Sequence, residues 1–258
     1  MLTLVGLGLY DFYDITLRGL KAIEEADFVF AEMYTSRLIG ESIEDFERKT
    51  GKRITVLDRE IVESGKELLD LARDNRVVLL VVGDPMAATT HLSLRLMAEE
   101  MGVETRVIHN ASIITAAPGL MGLQHYKFGR IVSLPFPHEN YFPTSAYDFI
   151  EKNQAMGLHT LVLLDINPRP MTANEAMEIL LKMEDVKKRG VIKDNTLIGV
   201  IARAGAPDCL VRAGFIGDLI KEDFGPPLHS LIIPGTLHFA EAEALVRLAG
   251  APSEIMEE

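Results

Sequence analysis

Residues 77–91, VVLLVVGDPMAATTH, decide the fold. Six apolar residues lead directly into Gly83, Asp84 and Pro85, and small residues and two threonines follow. A continuous apolar run of this length is typical of a parallel strand that is covered on both faces. Glycine and proline predict a turn at its end. A plain turn would account for these three residues, but a carboxylate at this place can also accept hydrogen bonds from a ligand.

Apolar strands and helices alternate along the whole chain. Strand-like stretches occupy residues 2–5, 27–31, 53–57, 76–82, 103–109, 158–166, 196–202, 209–213 and 228–233. Helical patterns lie between and after these strands. The first has Asp14 as its N-cap and reaches about residue 25, the second begins at residue 42, and the last begins at about residue 238. The others cover residues 60–75, 90–101, 144–156, 172–189 and 216–222. This alternation predicts an α/β fold of two α/β domains with mostly parallel or mixed sheets. The alternation of strands and helices is less regular between residues 110 and 143, so we expect a domain boundary there, with domains of residues 1–115 and 116–258.

Ligands of such sheets bind outside the carboxyl ends of the strands. The segments that follow the predicted strands are rich in glycines, carboxylates and small residues: 6–11, 83–85, 109–112, 165–167 and 202–205. We therefore expect a cofactor at these strand ends. Arg203, in the last segment, can either meet an anionic substrate group or pair with a neighbouring acid, and the sequence favours neither.

Composition excludes several classes of function. The net charge of −12 disfavours broad electrostatic binding of nucleic acid, so a protein is the better candidate for a macromolecular partner. The apolar runs are too short to span a membrane. Cys209 is the only cysteine, which fits a reducing, cytoplasmic setting. The seven histidines form no HExxH motif or short pair, so no metal site is predicted.

The turn after the first strand resembles the start of a dinucleotide fingerprint. Gly6 and Gly8 have the right spacing, but Asp11 stands where the third glycine belongs. An aspartate there would repel a pyrophosphate, so a tight turn for a non-phosphate ligand is the preferred interpretation. The chain also has no GxSxG elbow and no P-loop, so it lacks the sequence signatures of serine hydrolases and nucleotide kinases.

Eight stretches together resemble one family. In chain order they are MLTLVGLGLYDFYDIT (1–16), AEMYTS (31–36), GDPMAATTH (83–91), HNASI (109–113), LLDI (163–166), MTANEAMEILL (171–181), ARAG (202–205) and GPPLHSLIIPGTLH (225–238). These motifs are similar to those of the diphthine synthase family, in its compact archaeal form. That family belongs to the tetrapyrrole-methylase fold group, the class III methyltransferases that use S-adenosylmethionine.

The resemblance implies a homodimer of two-domain subunits with S-adenosylmethionine in the cleft between domains and S-adenosylhomocysteine as product. It implies methylation of the amine of a 3-amino-3-carboxypropyl group on a modified histidine of translation elongation factor 2, which gives diphthine. It places the cofactor contacts on eight residues: Leu9, Asp84, Ala87, Ser112, Ile113, Leu164, Ala204 and His229. Many of these are small or apolar, as expected where backbone groups hold the cofactor.

Other functions remain open at this point. The shared fold would permit methylation of a tetrapyrrole such as a precorrin, and a non-catalytic dimer that binds a small molecule is an alternative from another class. A nicotinamide-dependent reductase is disfavoured by Asp11. The sequence identifies no residue as an obligatory catalytic base, so no catalytic residue is predicted.

Overall fold

The computed structural model describes residues 1–138 and 141–257, and the chain divides into two compact units, Met1–Ile113 and Ile114–Glu258. Within the described residues each unit contains one five-stranded sheet. This confirms the predicted α/β class with parallel and mixed sheets.

The first unit has a fully parallel sheet. Its elements are β1 (Leu2–Gly6), α1 (Leu17–Glu24), β2 (Phe28–Glu32), α2 (Ile43–Thr50), β3 (Ile54–Leu57), α3 (Arg59–Ser64), α4 (Lys66–Ala72), β4 (Val77–Val81), α5 (His91–Glu100) and β5 (Thr105–Ile108). The strand order is β3-β2-β4-β1-β5. Because all five strands run in one direction, the segments that follow them emerge at the same edge of the sheet.

Both faces of this sheet are buried, as the apolar run at residues 77–82 predicts. Leu79 and Val81 pack in one cluster with residues of α4 and α5, whereas Val78 and Leu80 pack in another with Ile23 of α1. Alternate residues of β4 therefore enter opposite cores, and the strand has no solvated face.

The second unit has a mixed sheet. Its elements are α6 (Ile113–Met121), which begins at the unit boundary, β6 (Val132–Leu134), α7 (Ser145–Ala155), β7 (Thr160–Leu164), α8 (Ala173–Lys187), β8 (Leu197–Ala202), β9 (Leu210–Phe215), α9 (Ile216–Leu219), β10 (His229–Ile233) and α10 (Phe239–Ala249). The order is β6-β7-β10-β8-β9, and β10 is antiparallel to β7 and β8. The start of β10 therefore lies beside the ends of β7 and β8.

Three local expectations are wrong. Asp14 does not cap the first helix, because Thr16 does so through a bond from the Gly19 N–H, and a 3-10 turn, Phe12–Asp14, precedes it. The helix expected over residues 60–75 is two helices, since Gly65 adopts a left-handed φ of 68° between α3 and α4. The irregular stretch after residue 110 contains α6 and β6, and α6 includes Pro118.

Candidate functional site

Three loops meet at the carboxyl edge of the first sheet. They follow the adjacent strands β1, β4 and β5, and we call them the first loop (residues 7–14), the second loop (83–90) and the third loop (109–112). Gly8 and Gly83 exchange two backbone hydrogen bonds, of 2.8 and 3.3 Å, which join the first loop to the second. Gly8 has a φ of 81°, in the left-handed region that favours glycine.

Gly6 allows all three loops to approach one another. A Cβ at this position would lie 2.6 Å from the carbonyl oxygen of Gly83 and 2.7 Å from the Cβ of Asn110. Both distances are shorter than real Cβ contacts, so any larger residue at the end of β1 would push the loops apart. The glycine is needed for close approach, which a turn alone would not require.

Asn110 ties the third loop to the first. Its side-chain amide donates to the carbonyl oxygens of Gly6 and Asp14, both at 2.9 Å, and its own oxygen accepts from the Ala111 N–H at 2.7 Å. Asp14 closes the first loop by accepting from the N–H groups of Leu9 and Tyr10 at 2.9 and 2.7 Å. Sequence reasoning assigned Asp14 to a helix cap and gave Asn110 no role of its own.

Asp84 joins the second loop to the third. Its Oδ1 accepts from the Met86 N–H at 2.9 Å, and its Oδ2 accepts from the Asn110 N–H at 3.1 Å and bonds His109 Nδ1 at 2.8 Å. The side chain is 12% exposed. A carboxylate offers about four lone-pair sites, so these three bonds leave one acceptor site, on Oδ1.

Ala87 lies in the turn of the second loop. Its N–H donates to the carbonyl oxygen of Asp84 at 3.2 Å, and α5 begins four residues later, at His91. Ala87 therefore lies outside the helix that follows the turn. Behind the turn, the carbonyl oxygen of Pro85 accepts from the Thr89 hydroxyl at 2.7 Å and bonds His91 Nδ1 at 2.9 Å.

Five of the eight predicted contact residues belong to the first unit and lie on or beside these loops. Leu9, Asp84, Ala87 and Ser112 are loop residues, and Ile113 is the first residue of α6. Ser112 is buried, with 6% exposure. The first unit thus gathers these residues at one edge of its sheet.

The other three predicted residues share one edge of the second sheet. Leu164 ends β7, Ala204 follows β8, and His229 begins β10. The pairing of His229 with Ala202, and of Ser230 with Leu163, brings these strand ends together. An antiparallel β10 is what allows a residue at a strand's start to join residues at the ends of two others.

Both ring nitrogens of His229 form hydrogen bonds within the second unit. Its Nδ1 accepts from the Ala173 N–H, at the start of α8, at 3.0 Å, and its Nε2 bonds the carbonyl oxygen of Pro226 at 3.2 Å. Burial lowers the pKa of His229 to about 4, so the ring is neutral near pH 7. Any ligand contact of this residue therefore falls to its backbone or to the ring's carbon edge.

The structure decides between the two interpretations of Arg203. The guanidinium pairs with Asp208 at 2.7 Å and donates to the carbonyl oxygens of Phe224, Pro226 and Asp208. With 9% exposure and these partners, Arg203 pairs with a neighbouring acid and holds two loops of its unit.

No helix within residues 1–138 and 141–257 is long and apolar enough to cross a membrane. No three histidine, cysteine, aspartate or glutamate side chains in this part of the chain are grouped so that they could hold a metal ion.

Comparisons with known proteins identify the family. The sequence model of the Tetrapyrrole (Corrin/Porphyrin) Methylases matches residues 1–220. Diphthine synthase of Methanothermobacter thermautotrophicus is 51% identical, covering 100% of this chain and 98% of the relative. Diphthine synthase of Methanosarcina mazei is 50% identical, covering 100% and 99%. A crystal structure of diphthine synthase superimposes with a TM-score of 0.91 at 41% identity, covering 99% of this chain and 98% of that one.

The fold, the joined loops and the family match define the class, which is that of the tetrapyrrole methylases. Sequence identities of 51% and 50% to two diphthine synthases, over the full length of the chain, narrow this class to one family. The chain belongs to the diphthine synthase family, and it is an S-adenosylmethionine-dependent methyltransferase.

Proposed function

We propose that this chain transfers methyl groups from S-adenosylmethionine to the amine of a 3-amino-3-carboxypropyl group on a modified histidine of elongation factor 2, giving diphthine. The observation that carries the proposal is the joining of the first, second and third loops at the carboxyl edge of the parallel sheet, in a chain of this family. S-adenosylhomocysteine is the expected co-product.

The residues at this edge fit such a cofactor. The remaining acceptor site of Asp84 suits a hydroxyl or ammonium donor, both of which S-adenosylmethionine carries. Ala87 and Ala88 have side chains of one carbon, and a Cβ built on Gly83 would meet its nearest atom only at 3.9 Å. The backbone of Gly83, beside the carboxylate, is therefore not closely packed. We propose Leu9, Asp84, Ala87, Ser112 and Ile113 as contacts in the first unit, with Leu164, Ala204 and His229 in the second.

When bound, S-adenosylmethionine supplies a methyl group on a sulfonium, whose departing thioether is neutral. The task of the protein is then to align the donor and the amine, which requires no metal and no covalent enzyme intermediate. Loops that are bonded to one another suit this task, because alignment depends on a fixed geometry. Asp84 and Asn110 hold the loops in place, and the small residues leave room for the ligand.

The remaining parts of the proposal concern partners and location. We expect a homodimer that acts on elongation factor 2 in the cytoplasm, with no nucleic acid and no membrane as partner. The net charge of −12 supports a protein substrate over a nucleic acid, whose phosphates a strongly acidic chain would repel.

The test combines the purified chain, S-adenosylmethionine with an isotopically labelled methyl group, and elongation factor 2 that carries the 3-amino-3-carboxypropyl histidine. We expect label on the modified histidine, located by peptide mass spectrometry. Unmodified elongation factor 2 is the matched control and should stay unlabelled. Tight binding of S-adenosylmethionine in calorimetry without any transfer to the modified factor would instead indicate a non-catalytic binding protein and would refute the proposal.

A further inference from the structure

Two buried polar side chains stand directly behind the second loop. Glu32 is the last residue of β2, and His91 is the first residue of α5. Their exposures are 0% and 1%. Since β2 lies beside β4 in the sheet, both residues are at the carboxyl edge that carries the loops. Neither residue is among the eight proposed cofactor contacts.

Each residue anchors a different loop. One oxygen of Glu32, Oε2, accepts from the N–H groups of Tyr34 and Thr35 at 3.1 and 3.0 Å, in the segment that follows β2. His91 Nδ1 lies 2.9 Å from the carbonyl oxygen of Pro85 in the second loop. A carbonyl oxygen can only accept, so Nδ1 is the atom that carries a proton and donates.

The atoms of the two residues that face each other are unsatisfied. Glu32 Oε1 and His91 Nε2 lie 3.8 Å apart, too far for a direct hydrogen bond. Among residues 1–138 and 141–257 neither atom has a hydrogen-bond partner. Buried polar atoms without partners destabilise a fold, and replacing both side chains with apolar ones of the same shape is often neutral or favourable. The two facing atoms therefore lower stability, and stability alone gives no reason for placing them together.

The bond to Pro85 supplies a reason. Thr89 also donates to the Pro85 carbonyl oxygen, but Thr89 is itself part of the second loop. His91 belongs to α5, so its bond fixes the loop to a helix. The turn that follows Pro85 carries Ala87, and the residue before Pro85 is Asp84. Movement of the Pro85 carbonyl would therefore displace both proposed contacts.

We propose that Glu32 and His91 are positioning residues, which hold the second loop in the shape that presents Asp84 and Ala87 to S-adenosylmethionine. This inference rests on the proposed function of the loop. His91 acts through its Nδ1–H bond to Pro85, and Glu32 packs behind the ring and limits its rotation. Neither side chain touches the ligand or the reacting atoms.

The test compares His91→Leu with His91→Asn in the full chain. Leucine keeps bulk but removes the donor, whereas the asparagine amide places a donor close to the position of Nδ1. For His91→Leu we expect the dissociation constant of S-adenosylmethionine, measured by calorimetry, to rise about 10-fold, as for loss of one well-placed bond. For His91→Asn we expect it to stay within about 2-fold of the unsubstituted chain. In methyl-transfer assays the KM for S-adenosylmethionine should rise for His91→Leu while kcat at saturation is kept.

Leu94→Ala is the matched control. Leu94 is a buried residue of the same helix, and its apolar side chain cannot donate a hydrogen bond to Pro85. It should lower the melting temperature and leave the dissociation constant unchanged, which separates loop positioning from general destabilisation. Equal affinity for His91→Leu and the unsubstituted chain would overturn the proposal, and so would equal losses for the leucine and asparagine variants.

Glu32→Gln provides a second test if His91→Leu does not fold. The amide oxygen can still accept from Tyr34 and Thr35. The amide nitrogen then faces His91 Nε2 as a donor group in place of an acceptor oxygen, which favours the ring form with hydrogen on Nδ1. We expect unchanged or tighter binding, and a 10-fold loss would overturn the proposal. Should the unsubstituted chain itself fail to bind S-adenosylmethionine, the proposed function fails first, and the inference falls with it. Normal binding by the unsubstituted chain together with unaffected variants refutes the inference alone.

Discussion

The Asp84→Asn substitution probes the proposed site most directly. Asparagine keeps the shape of the side chain but offers one acceptor oxygen and an NH₂ donor. If the oxygen keeps the bonds from Asn110 and His109, the NH₂ group must face the Met86 N–H, donor against donor. One bond to a charged acceptor is lost, and the free acceptor site on Oδ1 is lost with it.

Both losses can be given a magnitude. A hydrogen bond to a charged group contributes about 1.5–3 kcal/mol, so we expect the free energy of unfolding to fall by roughly that amount. The second loss removes a bond of the same kind to the ligand. The dissociation constant of S-adenosylmethionine should therefore rise by about 10- to 100-fold.

The assay is calorimetric titration of S-adenosylmethionine, with urea unfolding of the same samples. Asp27→Asn is the matched control, because Asp27 also accepts from a backbone N–H, that of Arg76 at 2.8 Å, but lies before β2 at the opposite edge of the sheet. It should leave affinity unchanged. If folded Asp84→Asn binds as tightly as the unsubstituted chain, Asp84 serves only the turn and its proposed ligand contact is refuted.

Three further outcomes are expected. Ala87→Leu should keep its circular dichroism spectrum and lose most binding of S-adenosylmethionine, whereas Ala87→Ser should retain binding; tight binding by the leucine variant would refute the steric argument. Chelator treatment of the unsubstituted chain should leave this binding unchanged, and loss that zinc restores would count against a metal-free site. Burial raises the pKa of Glu241, but hydrogen bonds from the His238 N–H and from Lys127 outweigh burial and lower it from 4.5 to about 2. The stabilisation by Glu241 should be complete above pH 4.5 and lost as the pH falls towards 2, and Glu241→Gln should abolish this part of the pH dependence in urea unfolding.

The fold was predictable where a local pattern determined the outcome. The apolar run at residues 77–82 required burial on two faces, and Gly102 after α5 has the left-handed φ, 68°, that a helix end uses. Gly65 has the same φ but lies inside a continuous helical pattern, so the apolar periodicity concealed the break between α3 and α4. The helix α6 was missed because Pro118 and its neighbouring glycine read as a loop signal.

The site was predictable in its position but not in its bonding. That a carboxylate follows β4 is visible in the sequence, and its placement at a strand end is a local property. Its partner Asn110 lies 26 residues away, and Asn110 reaches Gly6 over 104 residues. Such pairs depend on the order of strands in the sheet, which alternation alone does not fix. The bond between Glu32 and the backbone after β2 could not be predicted from the sequence for a different reason, because a charged residue at the end of a strand is normally expected to be exposed to solvent.

The polar side chains at the edge of the first sheet bond mainly to the protein itself. Asp14 closes the first loop, Asp84 makes three internal bonds, and both ends of the Asn110 amide are occupied. Their capacity to recognise a ligand directly is therefore small, apart from one site on Asp84. Recognition at this edge must then rest on backbone groups and on the shape that the loops impose. For this reason bulk added at Ala87 should weaken binding more than loss of polarity at exposed positions nearby, a ranking that a scan of single variants by calorimetry can test.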